Sequence, residues 1–207
     1  MRCEQVDGYK ILNFNLEEAV RHGLQVSGIA TVIAKELKIS EEVCEELAEA
    51  GLFHDIGKLK LGKYLYGRKG FMQVEELRYI RQHPVLGKEI CDKNEYSEFI
   101  SESIYYHHEN FDGSGYPENL KGYDIPLGAR ILRVCDVFAA LISERPYREA
   151  FGPETAMELM IDEAKNFDMR VFIAFQRVYN DGKLDFLFKE NLIDLKTEKR
   201  FRIALQR

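Results

Sequence analysis

Histidine is scarce in this chain, and its placement is the first chemical signal. The five histidines are His22, His54, His83, His107 and His108. Each lies near a carboxylate, beside another histidine, or at a helix end or break. Glu18 and His22 are four apart in a helix-patterned segment, so both side chains share one face. His54 and Asp55 are neighbours at a helix end, and neighbours diverge by about 100° around the axis. That suits two sides of a polynuclear cluster better than one closed tetrahedral site. His107 and His108 repeat the adjacency at another helix end, and His83 precedes a break at Pro84. Asp136 sits between Cys135 and Val137 in an otherwise apolar helix, where an uncompensated carboxylate is costly and a cation is a natural partner. The ligand set read this way is Glu18, His22, His54, Asp55, His83, His107, His108 and Asp136. Mixed imidazole and carboxylate ligation suits iron, manganese or zinc better than calcium or a thiolate zinc site. Eight ligands are too many for one catalytic ion with open water positions, and they fit two or three.

These residues must be positioned by helices. Leu16, Ala19, Val20, Leu24, Ile29, Ala30, Ile33 and Leu37 recur at helical spacing. Ser40, followed by Glu41 and Glu42, reads as an N-cap with an acidic first turn. That helix should run to about Ile56, with Gly57 as its stop. Residues 58–71 hold three glycines and many basic residues and read as a loop near the site. A helix over residues 74–91 should break or kink at Pro84, just after His83. Residues 97–108 read as a short helix, 109–126 as a structured loop rich in Gly, Asp, Asn and Pro, and 127–142 as a helix again. Pro153 suits a first helical position, opening a helix to about residue 165, with another over 168–179. Residues 184–188 and 200–205 carry aromatic and β-branched residues and suggest a two-stranded appendage or a short irregular tail. The expected architecture is all-α: residues 1–179 form a helical bundle around a polynuclear metal site, with residues 1–15 as an N-terminal arm and 180–207 as a short C-terminal appendage.

Composition limits the alternatives. The 207 residues are 45% hydrophobic and 31% charged, which is ordinary for a globular domain. The net charge of −6 is a poor footprint for duplex nucleic acid, although a small phosphate ligand remains compatible. No apolar run is long enough for a bilayer, and residues 1–7 show no signal-peptide pattern, so a cytoplasmic protein is expected. Cys3, Cys44, Cys91 and Cys135 lack CxxC spacing and read as idle thiols in a reducing compartment.

The motifs carry a resemblance. His54-Asp55-Ile56-Gly57-Lys58 resembles the signature of the HD superfamily of metal-dependent phosphohydrolases. His107-His108-Glu109 with Asp112-Gly113-Ser114-Gly115-Tyr116-Pro117 resembles the HHExxDGxGYP signature of its HD-GYP branch. The segments Ile125-Pro126-Leu127, Ala129-Arg130-Ile131-Leu132, Asp136-Val137-Phe138 and Arg145-Pro146-Tyr147-Arg148 follow in the same order and spacing. The resemblance covers about residues 16–178.

It implies an all-helical HD-domain bundle around two or three divalent ions, iron or manganese first, with zinc, nickel and magnesium also compatible. It implies hydrolysis of cyclic di-GMP, or a related cyclic dinucleotide, by a hydroxide shared between metals that Asp55 bridges. His22, His54, Asp55, His83, His107, His108 and Asp136 carry over as ligands, and Glu18 as the extra glutamate of three-metal members. Lys58 carries over as a lysine near the metals and scissile phosphate, where its charge offsets that on the phosphoryl oxygens. A helix-end cation is its other reading. Tyr116 carries over as the GYP tyrosine, either stacked on a base or packed in its loop. Arg145 and Arg148 carry over as contacts to phosphates and bases; solvation is the alternative. The glycines either supply positive φ at Gly113 or Gly115, or let the backbone approach the ligand.

Three positions depart from the pattern: Ala139 replaces an aspartate, Ile142 a threonine and Glu144 an aspartate. None is a ligand position, but Ala139 could loosen Lys58 or a hydrogen bond behind the ligands. No receiver or sensor domain is expected in these residues, so regulation is expected from the N-terminal arm, the C-terminal appendage or a separate sensor protein; a homodimer is the other partner considered. The rival expectations are a catalytically weak or inactive cyclic-dinucleotide-binding module with the same fold, and an HD hydrolase of another nucleotide.

Overall fold

The structure, a computed structural model, describes residues 4–65, 78–144 and 148–188, with side chains described for 18–61, 78–144 and 148–187. Eight α-helices appear among them. They are α1 (Glu4–Glu36), α2 (Glu41–Phe53), α3 (Gly57–Leu65), α4 (His83–Lys93), α5 (Glu98–Tyr106), α6 (Leu127–Leu141), α7 (Pro153–Asp162) and α8 (Met169–Asn180). None of the described helices is long and apolar enough to cross a membrane.

The helices form where apolar residues recur every three or four positions and bury one stripe. On α1 that stripe includes Val26, Ile29, Ala30 and Ile33, and on α2 Cys44, Leu47 and Ala50. Helix α6 contributes Ile131, Leu132, Cys135 and Phe138, and α8 contributes Val171, Phe172, Phe175 and Val178. Ser97 caps α5 by accepting from the Ile100 amide at 3.3 Å, and Asp168 caps α8 by accepting from the Arg170 amide at 2.9 Å. Helix α1 packs on α2, α6 and α8, while α4 packs on α3 and α5. Helices α2, α5, α7 and α8 all touch α6, so this helix, which carries Asp136, lies at the centre of the core.

Several expectations need correction. Residues 4–15, expected as an arm, are helical and continuous with the helix that carries His22. Gly57 does not stop α2. It opens α3, and residues 58–65 are helical rather than loop; residues 66–71 lie outside the described residues. The break beside His83 falls at residues 81–82, before the histidine, and Pro84 sits in the first turn of α4 where its missing N–H costs nothing.

Residues 185–188 form one 3₁₀ turn, not a strand. Leu184 and Leu187, three apart, both point into the core, which a strand's alternation would not permit. The second suggested strand, residues 200–205, lies outside the described residues.

Candidate metal centre

Two close helix crossings bring the histidines together. At the first, Gly23 on α1 faces Leu52 and Gly51 on α2 faces Ser27. A Cβ at Gly23 would lie 2.3 Å from the Leu52 carbonyl oxygen, so only glycine allows this approach. His22, beside Gly23, and His54, three residues past Gly51, therefore meet, with ring centroids 5.0 Å apart. At the second crossing, a Cβ on Gly57 would fall 2.0 Å from the His83 carbonyl oxygen. Glycine is needed here for proximity: it sets the His54-Asp55 corner directly against the start of α4.

Three of the histidines are held in the same way. His54 Nδ1 lies 2.8 Å from the Gly51 carbonyl, His83 Nδ1 2.8 Å from that of Ile80, and His107 Nδ1 2.6 Å from that of Ile104. Each Nδ1–H donates three residues back, which fixes the tautomer and leaves a lone pair on Nε2. The His83 and His107 Nε2 atoms then lie 3.3 Å apart. Two lone pairs facing each other repel, and a shared cation resolves the conflict. Imidazoles bound to one ion at ~2.0–2.1 Å bring their nitrogens to about 2.9–3.4 Å apart, which matches.

The described ligand atoms gather into two groups. Asp55, His83, His107 and His108 form one; His22, His54 and Asp136 form the other; within each group the ligand atoms lie within 4.8 Å of one another. Asp55 faces both. Its Oδ1 is 3.2 Å from His83 Nε2 and 3.9 Å from His107 Nε2, while its Oδ2 is 3.5 Å from His54 Nε2. Asp136 Oδ1 lies 2.9 Å from His22 Nε2 and 3.6 Å from His54 Nε2. His54 Nε2 and Asp55 Oδ1 are buried with no hydrogen-bond partner among the described residues, which suits atoms reserved for a cation. The donor set and these orphaned atoms fit a pair of divalent ions.

The electrostatics agree. Burial pushes the Asp55 carboxyl up, but Lys58, His54 and His83 outweigh it and hold it well below the usual carboxylate range. Burial also opposes Asp136, and His22 and His54 hold it well below that range. Burial keeps His107 and His108 well below the ordinary imidazole value, helped for His107 by His54 and His83 and for His108 by His107. Ionised carboxylates beside neutral imidazoles are the protonation states a metal requires.

The loop after α5 completes the second group. The Tyr116 amide donates to the His108 carbonyl at 3.2 Å, and the Glu118 amide donates to the buried Glu109 carboxylate at 2.7 Å. Gly113 supplies the positive φ, +87°. Gly115 instead packs against the chain itself, since a Cβ there would lie 2.3 Å from the Asn110 nitrogen and 2.5 Å from the His108 carbonyl oxygen. The close approach expected toward a ligand is thus, in this structure, an approach to residues 108–110. Tyr116 stacks on His108, centroids 4.7 Å apart at 23°.

The remaining expected residues are distributed as follows. Glu18, half-buried on α1, belongs to neither ligand group. Lys58 is in the first turn of α3, not at a helix C-terminus, and its ammonium lies 2.6 Å from Asp55 Oδ2. Arg148 donates to the carbonyls of Ala140, Leu141 and Glu149 and lies 4.3 Å above the Phe151 ring, so its guanidinium caps the end of α6. Arg145 lies outside the described residues. Ala139 is fully buried in the core, and the Ala139 carbonyl accepts from Ser143 Oγ at 2.7 Å.

Two cations near the centre were not singled out by sequence. The Arg81 guanidinium lies 5.0 Å from the Tyr116 ring centroid. Arg133, one turn before Asp136 on α6, donates from Nε to Asn110 Oδ1 at 2.9 Å.

Known proteins bear on this centre. The family model described as "HD domain" matches residues 8–171. Cyclic di-GMP phosphodiesterase PA4108 of Pseudomonas aeruginosa is 32% identical over 172 residues, 81% of this chain and 42% of its own length. The 3'3'-cGAMP-specific phosphodiesterase 3 of Vibrio cholerae is 31% identical, covering 83% of this chain and 37% of its own length. This chain thus spans about two fifths of these curated relatives. Among solved structures, Bd1817, an HDG"Y"P protein from Bdellovibrio bacteriovorus, superposes with a TM-score of 0.65 at 23% identity, over 78% of this chain and 52% of that one. It shares the fold.

Proposed function

The chain belongs to the HD domain family, and from that premise we propose that it is a metal-dependent phosphodiesterase that hydrolyses cyclic di-GMP or a related cyclic dinucleotide. The observation that carries the reading is Asp55, whose two carboxylate oxygens face two separate histidine groups. The names of the relatives, which divide between cyclic di-GMP and 3'3'-cGAMP, support the substrate class.

In this reading His22, His54 and Asp136 would hold one divalent ion and His83, His107 and His108 a second, with Asp55 facing both groups. Imidazole and carboxylate donors favour iron or manganese. Such ions supply a Lewis acid and a bound water whose pKa falls from ~15.7 to about 7. Asp55 fixes the spacing of the two positions. The backbone carbonyls of Gly51, Ile80 and Ile104 hold the rings of His54, His83 and His107 in a ligating orientation.

Lys58 holds the Asp55 carboxylate ionised and stands where its charge offsets that on a phosphoryl oxygen. Tyr116 keeps His108 in place through stacking. Glu18, four residues before His22 on α1, is the candidate ligand for a third ion, a role that rests on the family resemblance. The three buried free thiols Cys44, Cys91 and Cys135 agree with a reducing, cytoplasmic setting. A catalytically inactive binding module is disfavoured, because seven of the eight expected ligands assemble into the two groups.

The test is incubation of iron- or manganese-loaded protein with cyclic di-GMP and 3'3'-cGAMP, with products separated by chromatography. Hydrolysis of at least one substrate, abolished by chelation and restored by metal, is expected. Metal-loaded protein that leaves both intact would refute the proposal.

A further inference from the structure

Beside the metal groups lies a second, cationic feature with no part in holding ions. Tyr116 stacks on His108, the Arg81 guanidinium lies 5.0 Å from the Tyr116 ring centroid, and Arg133 stands one turn before Asp136 on α6. Arg81 reaches this place from the turn before α4, across the Tyr116 ring, and Arg133 from α6. Arg133 uses Nε to hold Asn110, in the same loop. Among the described residues, neither guanidinium has a carboxylate in ion-pair contact. No carboxylate among the described residues cancels their positive charge, unlike that of Lys58 on Asp55 or Arg130 on Asp168.

A cyclic dinucleotide carries two phosphodiesters. The metal groups take the one that is cut, and the other must lie nearby with its negative charge unmatched. Guanidinium forks suit phosphate oxygens by both charge and geometry. Resting on the functional reading above, we infer that Arg81 and Arg133 form a subsite for the second, uncut phosphodiester, and so select cyclic dinucleotides over ligands with a single phosphodiester. Arg133 also ties this subsite to the loop that positions His108, because it holds Asn110 while Tyr116 stacks on His108.

The test compares metal-loaded wild type with Arg81→Gln, Arg133→Gln and Arg133→Lys. Two quantities are read: KM for cyclic di-GMP, and the inhibition constant of the dinucleoside monophosphate GpG. GpG keeps both guanines and one phosphodiester but lacks the second. Bound metal is measured in every variant. The inference expects each glutamine variant to raise KM by about tenfold, as loss of one charged hydrogen bond should. It expects the GpG constant to move less than about threefold, and Arg133→Lys to recover most of the loss, because charge without the fork still attracts phosphate. Equal shifts for both ligands would overturn it, since the arginines would then read the bases or support the loop. An unchanged KM, or loss of metal from the glutamine variants, would also overturn it. If wild type turns over neither cyclic di-GMP nor 3'3'-cGAMP, the functional reading fails and this inference goes with it; if it cuts only the latter, the same comparison is made with 3'3'-cGAMP and its linear product, and failure of the inference alone shows only in the variants.

Discussion

Replacing Asp55 by asparagine tests the bridging geometry with little change of shape. The amide keeps one oxygen but removes the charge that both histidine groups face. Asp55 Oδ1 is 3.2 Å from His83 Nε2 and Oδ2 is 3.5 Å from His54 Nε2. An ion ~2.0–2.1 Å from those nitrogens lies within about 4 Å of the carboxylate. At that distance, with an effective dielectric constant of ~20, one unit charge attracts a divalent ion by about 8 kcal/mol. Even half of that corresponds to roughly three decades of affinity for each ion. Asp55→Asn is therefore expected to emerge from gel filtration with little bound metal and to lose at least about a thousandfold in turnover. The assay is elemental analysis with single-turnover hydrolysis, and helical circular dichroism in chelator should match wild type. A variant that keeps two ions per chain and turns over within tenfold of wild type would refute the reasoning.

Other outcomes follow from the same geometry. Tyr116→Phe should keep metal and His108 in place, whereas Tyr116→Ala should weaken metal binding by roughly tenfold through loss of the stack, measured by competition with a chelating dye. Gly57→Ala should destabilise by about 1–3 kcal/mol, since the new methyl meets the His83 backbone; thermal melts should fall by roughly 2–10 °C, and an unchanged melt would contradict the close crossing. In chelator, stability should fall as pH drops. Burial lowers His22, His107 and His108, so the unfolded chain takes up protons below about pH 6.5 before the folded chain does, at up to ~1.4 kcal/mol per pH unit for each group. His54 shifts upward despite burial, because Asp55 and Asp136 outweigh it, and offsets one of the three. Melting temperatures that stay flat or rise between pH 7.5 and 5.5 would oppose this.

Much of the centre could be read from sequence because its ligands come in local patterns. His54-Asp55 and His107-His108 are adjacent pairs at helix ends, and Asp136 is a lone carboxylate in an apolar helix. Their division into two groups was not legible, because it depends on how α1, α2, α4, α5 and α6 cross. Gly57 was misread because a glycine after a helix usually ends it, while here it serves a contact with His83, a residue 26 positions away. The 3₁₀ turn at residues 185–188 was misread because a five-residue aromatic run fits either strand or helix, and only the burial of Leu184 and Leu187 decides. Arg81 and Arg133 leave no periodic signal, as arginines with surface exposure rarely do.

The most direct test of the central claim is anomalous scattering from crystals of metal-loaded protein, collected at the absorption edge of the bound metal. Two peaks are expected about 3.5–4 Å apart, with one oxygen of Asp55 directed at each, His22, His54 and Asp136 around the first, and His83, His107 and His108 around the second. A single peak away from Asp55, or none in protein shown to contain metal, would contradict the account.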